Sequence, residues 1–219
     1  EVFDSGAVVR LGGTALRVIL AFALGSLIGS GIGVAASWRP EGASLLSPIL
    51  VVLQAVPAVA FILLAMIWFP TDIAPVAVAA LLVIPLVAAG VRAGLTARDP
   101  LLLEMADAFG LTPRQRFAEI TLRSALPSIA SSLRVSLGLS WKAVIAAEVI
   151  IEPSRGLGTE MQLARLNLDT PLVFAWILLA VIASGLTDIL WILAARMVAA
   201  ADGNGWLQDE EQGDHARAV

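Results

Sequence analysis

Residues 101–127 read LLLEMADAFGLTPRQRFAEITLRSALP. This stretch is polar and ordered by local signals, yet it sits between long apolar runs. Asp99-Pro100 is a helix start, with Asp at the N-cap and Pro at the first helical position. That helix is expected to run to about Phe109, where Gly110 supplies a C-terminal stop. Thr112-Pro113-Arg114-Gln115 is a second start, a capping box with Pro again at the first helical position. The local chemistry therefore predicts two short helices joined by a tight turn. On the first, Leu101, Met105 and Phe109 share a face, and Glu104 and Asp107 lie toward the other. A merely solvated connection would not need two sets of caps, so the pair reads as a docking surface for another protein.

The flanks set the class. Of 219 residues, 58% are hydrophobic, against about 45–50% in soluble domains. Val18–Trp38, Gly42–Thr71, Ile73–Val91 and Thr170–Thr187 are free of charge. A bilayer span needs about 20 apolar residues. Five membrane helices are expected, at about 14–37, 45–69, 73–95, 125–150 and 171–198. Residues 1–198 would form the membrane domain, with the 96–124 loop projecting from it. Residues 199–219 would form a polar, disordered tail. That tail holds five acids and one Arg, which accounts for the whole net charge of −4. There is no Cys, and the only histidine, His215, lies in the tail. A Cys-based metal site is thereby excluded, and an intramembrane Ser-His dyad, which needs a histidine at membrane level, is a weak reading. No signal-peptide pattern follows Glu1.

Short loops rich in Arg stay in the cytoplasm. Arg98, Arg114, Arg116 and Arg123 place the 96–124 loop there, with the 38–44 loop and the tail. The 70–72 turn and the 152–170 loop then face out. Arg10, Arg17, Arg155 and Arg165 also fall on the outer side, so the rule holds by majority only.

Within the spans, Gly25, Gly29 and Gly33 recur every fourth position and predict close helix packing inside the fold. Pro57 cannot donate a backbone hydrogen bond, so the second span is expected to kink or break there. Gln54 lies one turn earlier, and freed polar groups at mid-membrane can line a pathway. Arg134, Lys142 and Glu148 lie in the fourth span, where ionisable groups usually face an interior or a cavity. At about 100° per residue, Arg134, Trp141 and Glu148 share one stripe, with Lys142 about 80° away from Arg134. Arg134 and Glu148 are about 21 Å apart along the axis, so each needs a partner on another element. Asp188 is one candidate. Structural ion pairing is as good a reading of these residues as a pathway role.

The spacing of Glu104, Ala106, Gly110 and Ile120 resembles the EAA loop of permease subunits of bacterial ABC importers. LQAVPAVAFILLAMIWF (53–69), ALPSIASSLRVSLGLSWKAVIAAEVI (125–150) and SRGLGTEMQLAR (154–165) look like segments of the nitrate/sulfonate/taurine branch. Two positions depart from the pattern. Arg123 stands where the family often has Pro, which leaves Pro127 to end the loop. Lys142 stands where an apolar residue is expected. The resemblance implies an all-α integral membrane protein with the type I importer permease fold: about five core helices plus a cytoplasmic coupling loop. Such permeases often carry one more helix upstream of this core. The resemblance also implies that Glu104, Ala106, Asp107, Gly110, Leu111 and Ile120 meet cytoplasmic ATPase subunits. A second permease copy as homodimer partner, an extracytoplasmic solute-binding protein and membrane lipid complete the implied partners; nucleic acid is not among them. ATP and Mg²⁺ would belong to the ATPases, because the only lysine, Lys142, is in LGLSWKAV and not in a phosphate loop. The implied solute is a small organic or inorganic anion or a thiamine-precursor-like heterocycle. The chief alternative is a secondary transporter or channel without an ATPase, for which no internal repeat is visible.

Overall fold

The computed structural model describes residues 5–38, 40–97 and 100–201. The described residues are helical almost throughout: α1 (Ser5–Trp38), α2 (Pro40–Ala55), α3 (Ala58–Trp68), α4 (Ala74–Thr96), α5 (Pro100–Ala108), α6 (Pro113–Arg116), α7 (Arg123–Ile151), α8 (Leu157–Leu166) and α9 (Thr170–Ala201). One π-helical segment, Phe117–Leu122, joins α6 to α7.

The centre of the bundle is α4, packed between α1 and α7. Its inner face is a run of Val and Ala, including Val78, Ala79, Val83, Val87 and Val91. The three glycines of α1 lie directly on it. A Cβ at Gly25 would meet Val83 at 2.7 Å, one at Gly29 would meet the Ile84 carbonyl at 2.7 Å, and one at Gly33 would meet the Ala88 carbonyl at 2.8 Å. The contacts advance along both helices together, so α1 and α4 are parallel. The Gly-x-x-x-Gly spacing is thus spent inside the fold, as its sequence predicts. On the other side of α4, Gly90 faces Ser132 and Gly94 faces Ala125, an antiparallel seam in which Ser128 Oγ donates to the Gly90 carbonyl at 3.1 Å.

Pro57 breaks the second span outright. Its ψ of 134° takes the chain out of helix, and α2 and α3 meet at 92°. Pro48, Pro85 and Pro127 lie inside helices that continue through them. By length and composition α1, α4 and α9 can each cross a membrane, and the bent α2–α3 pair makes a fourth. The remaining expected span, at about 125–150, is α7, which has 29 residues and a length of about 43 Å. Its Arg, Lys, Glu and serines make it too polar to count with the others on composition. Two boundaries are corrected. The first helix begins at Ser5 rather than near residue 14, because Gly12 and Gly13 do not interrupt it. The last runs to Ala201, and the expected tail beyond it lies outside the described residues.

The 152–170 segment, expected as a loop, contains α8. That helix packs on α7 and α9 through Leu157, Ala164, Trp176 and Ala180. Arg10 of α1 pairs with Glu160 at 2.7 Å and lies over the Trp176 ring at 5.9 Å, which ties α1, α8 and α9 together.

Candidate functional site

The 100–122 loop is held by its own backbone and caps. Gly110 has φ +66°, a conformation that favours glycine. The Gly110 N–H donates to the Asp107 carbonyl (3.1 Å) and the Leu111 N–H to the Ala106 carbonyl (3.0 Å). These two bonds are the Schellman pattern, which satisfies carbonyls left open at a helix end. The capping box also forms: Thr112 Oγ1 accepts from the Gln115 N–H, and the Thr112 N–H donates to Gln115 Oε1 at 3.0 Å. An Asp107–Arg116 ion pair bridges the turn. Asp99, the expected N-cap of α5, lies outside the described residues.

The second short helix is a correction. It does not stand alone: α6 passes through the π-helical segment into α7 with helical dihedrals at Arg116, Phe117, Leu122 and Arg123. Nothing stops it, because no glycine follows and Pro127 is absorbed in α7. The loop is therefore one projecting helix, α5, on the end of a long continuous arm, and Pro127 does not end it. Glu119 and Arg123 pair along that arm at 3.2 Å.

On α5, Ala106 is buried, at 1% exposure, while Leu101 and Met105 are open, as is Phe109 just beyond the helix, at 78%. Glu104 is exposed and Leu111 and Ile120 are half-buried. Asp107, grouped with them by resemblance, is engaged with Arg116 instead of standing free.

Between α4, α7 and α9, Leu86, Ser131, Arg134, Val135, Gly138, Leu139, Lys142 and Asp188 line a groove of about 520 Å³. Arg134 and Asp188 form a bidentate pair in it, Nε to Oδ1 at 2.8 Å and Nη2 to Oδ2 at 2.9 Å. This is the cross-helix partner that Arg134 requires. Trp141 Nε1 donates to Thr187 Oγ1 at 2.9 Å, which fixes the register of α7 against α9 beside the pair. Lys142 lines the same groove as Arg134 although it lies off the Arg134 stripe; the two are about 12 Å apart along the axis.

Glu148 is elsewhere. It is fully buried near the far end of α7 and does not line the groove. It accepts from Thr14 Oγ1 (2.9 Å), Arg17 Nη1 (2.9 Å) and the Gly158 N–H (3.0 Å). Arg17 also donates to Asp72 Oδ1 at 2.9 Å and to the Arg155 carbonyl. Ser154 donates to Asp72 at 3.1 Å. A Cβ at Gly156 or Gly158 would lie 2.7 or 2.6 Å from the Glu148 side chain, so the SRGLGTE segment is built around this carboxylate. Its paired hydrogen bonds and opposite charge are what a buried carboxylate requires. Gln54 and Pro57 are exposed at the α2–α3 break and outside the groove. The candidate pathway residues thus occupy three places. Thr14, Arg17 and Asp72 were missed; an arginine ahead of an apolar run and two glycines beyond Glu148 were their signals.

An all-helical bundle with glycine seams, a broken span, a charged groove and a projecting capped helix has the type I ABC importer permease fold. The family of the binding-protein-dependent transport system inner membrane component matches residues 23–200, and the chain belongs to it, as an inner-membrane protein. It is 30% identical over 181 residues to the taurine transport system permease protein TauC of Escherichia coli K12, covering 82% of this chain and 66% of that one. It is 31% identical over 173 residues to the putative aliphatic sulfonates transport permease protein SsuC of Bacillus subtilis 168, covering 78% and 62%. Both relatives fit the nitrate/sulfonate/taurine branch. The chain spans just under two thirds of their length. Among solved structures, the inward-facing MetNI methionine ABC transporter matches with a TM-score of 0.75 at 19% identity, over 90% of this chain and 98% of that one. An amino acid ABC transporter with histidines matches at 0.67 and 20%, over 89% and 92%.

Proposed function

We infer that this chain is the membrane-spanning permease subunit of an ATP-driven importer for a small anion. One observation carries the reading: Leu101 and Met105 of α5, with Phe109 just beyond it, are open to solvent beside a turn fixed by a left-handed glycine and the α6 capping box. Exposed apolar side chains on a rigid projection fit a groove on a partner. The partner is a cytoplasmic ATPase subunit, which holds ATP and Mg²⁺; this chain forms the path and hydrolyses nothing. A second copy completes the path, and an extracytoplasmic binding protein delivers the solute. The Arg cluster of the 96–124 loop supports a cytoplasmic position for α5, with α8 on the outer side. Glu104 stays available to a partner, since no ion pair engages it among the described residues.

The solute class follows from Lys142. Lys142 lines the groove between α4, α7 and α9; within a membrane-spanning bundle an uncompensated charge is costly unless it meets an opposite one. The taurine and sulfonate permeases among the relatives support a solute that carries a sulfonate-like anionic group. Lys142→Met is expected to lower ATP-driven uptake at least tenfold while the subunit still assembles with its partners. Uptake in proteoliposomes and co-purification of the ATPase check this. Unchanged uptake would remove Lys142 from the path.

A further inference from the structure

The projecting loop has two firmly held sides and a loosely held turn between them. On one side, α5, the Gly110 turn and α6 form a single elbow. The Gly110 and Leu111 amides close the end of α5, the Thr112–Gln115 capping box opens α6, and the Asp107–Arg116 pair ties the two helices. On the other side, α7 is clamped to α4 from Ala125 onward. Ala125 is fully buried, a Cβ at Gly94 would lie 2.9 Å from its carbonyl, and Ser128 Oγ donates to the Gly90 carbonyl. Between them lies the π-helical segment Phe117–Leu122, of which Thr121 alone is buried. Its hydrogen-bond ladder changes register along the way. At the entry the Phe117 N–H is shared between the Arg114 and Pro113 carbonyls. Within a π-helix the bonds run to the fifth residue back. At the exit the Arg123 N–H donates to the Ile120 carbonyl, the third residue back. Pro127 has no N–H to offer the Arg123 carbonyl.

We propose that Phe117–Leu122 is the hinge of this arm: the α5–α6 elbow moves as one body against the bundle, and the change of angle is taken up in the π-helical turn. The inference rests on reading α5 as the contact with a cytoplasmic ATPase. A regular helix resists such movement because each backbone N–H and C=O must keep a partner. A ladder already split among registers can be re-spaced by exchanging one carbonyl for its neighbour, so no group is left open on the way. Re-winding the turn from π to α rotates the elbow about the arm axis by up to about 100°, the twist of one α-helical residue. Smaller angles follow from partial re-winding. The change stops at Ala125, where the close approach of Gly94 fixes the backbone. The Glu119–Arg123 pair spans the exit of the turn with side chains 56% and 52% exposed. An ion pair so open to water breaks and re-forms at little cost.

Hydrogen exchange read by mass spectrometry, on the whole permease–ATPase assembly in lipid nanodiscs, tests this without any substitution. The nucleotide-free and vanadate-trapped states are compared. Amides of 117–123 are expected to change their exchange rate at least about fivefold between the states, while those of the Gly110 turn and of 128–140 keep theirs. A second measurement reads transport. In Glu119→Cys/Arg123→Cys a short bifunctional methanethiosulfonate bridges the turn, and no other cysteine of this chain competes. The bridged assembly is expected to lose about tenfold in ATP-driven uptake while it still hydrolyses ATP, and to regain uptake when the bridge is reduced. A turn that is only a fixed spacer would show neither the exchange difference nor an effect of the bridge. An elbow that flexes at Gly110 would place the exchange difference at 107–112. Either result, or one of the two expected effects without the other, overturns the hinge and leaves the α5 contact in place. If the unaltered permease holds no ATPase at all, the reading of α5 fails and the hinge falls with it.

Discussion

Replacing Gly110 by valine is expected to abolish uptake while the subunit remains folded in the membrane. Gly110 sits at φ +66°, and nothing lies within 4 Å of the place a Cβ would occupy. A substitution there meets no steric obstacle except its own backbone. A β-branched residue in that region costs about 1–3 kcal/mol, and the chain relieves it by leaving the left-handed turn. The two Schellman bonds then break, and α5 changes its angle to the long arm formed by α6 and α7. Nothing in the α1–α4–α7 core is touched. ATP-driven uptake in proteoliposomes should fall more than tenfold, with a normal amount of protein in the membrane fraction. Gly110→Asn should retain most activity, because asparagine tolerates this conformation. Normal uptake by the valine variant would show that the angle of α5 carries no work.

The largest stability loss is expected at the buried Arg17–Glu148 pair. Arg17→Met leaves Glu148 fully buried with its charge uncompensated and with only Thr14 and the Gly158 amide as donors. Breaking one side of a buried pair costs about 3–5 kcal/mol. For a chain of this size that corresponds to a fall in melting midpoint on the order of 10 °C in detergent. Removing the second charge as well should be far milder, since Arg17→Met/Glu148→Gln leaves no buried ion and keeps an acceptor for the Gly158 N–H. The double variant is expected to recover at least half of the lost midpoint. Equal loss in both would mean that packing of α8, rather than charge, dominates this end of the molecule.

Local chemistry made the projecting helix readable. Gly110 after an apolar-periodic run and Thr112-Pro-x-Gln specify their turn within a few residues, and the structure repeats those bonds. Gly25, Gly29 and Gly33 announced a close approach, and Pro57 announced a break. What stayed hidden depends on contacts across the chain or on signals that are missing. Caps mark where a helix starts, but no residue after Arg116 stops one, so the fusion of α6 with α7 had no local sign. Arg17 and Glu148 are separated by 131 positions, and neither names the other. α8 begins among Gly156 and Gly158, which read as loop; a Cβ at the first would meet the Glu148 carboxylate and one at the second the Glu148 Cβ and the α7 backbone. Arg134 and Asp188 could be suggested as partners because each interrupts an apolar run and needs an opposite charge.

The docking of α5 on an ATPase is tested most directly by a single cysteine at Phe109. The chain has no other cysteine, and Phe109 is exposed next to Gly110. The Phe109→Cys permease is expressed with its ATPase and treated with a short thiol-reactive crosslinker. The expected result is a covalent permease–ATPase product, together with no labelling of intact cells by a membrane-impermeant maleimide. Labelling from outside intact cells, or a transport-competent variant with no crosslink to the ATPase, would contradict the placement of this helix at the cytoplasmic engine.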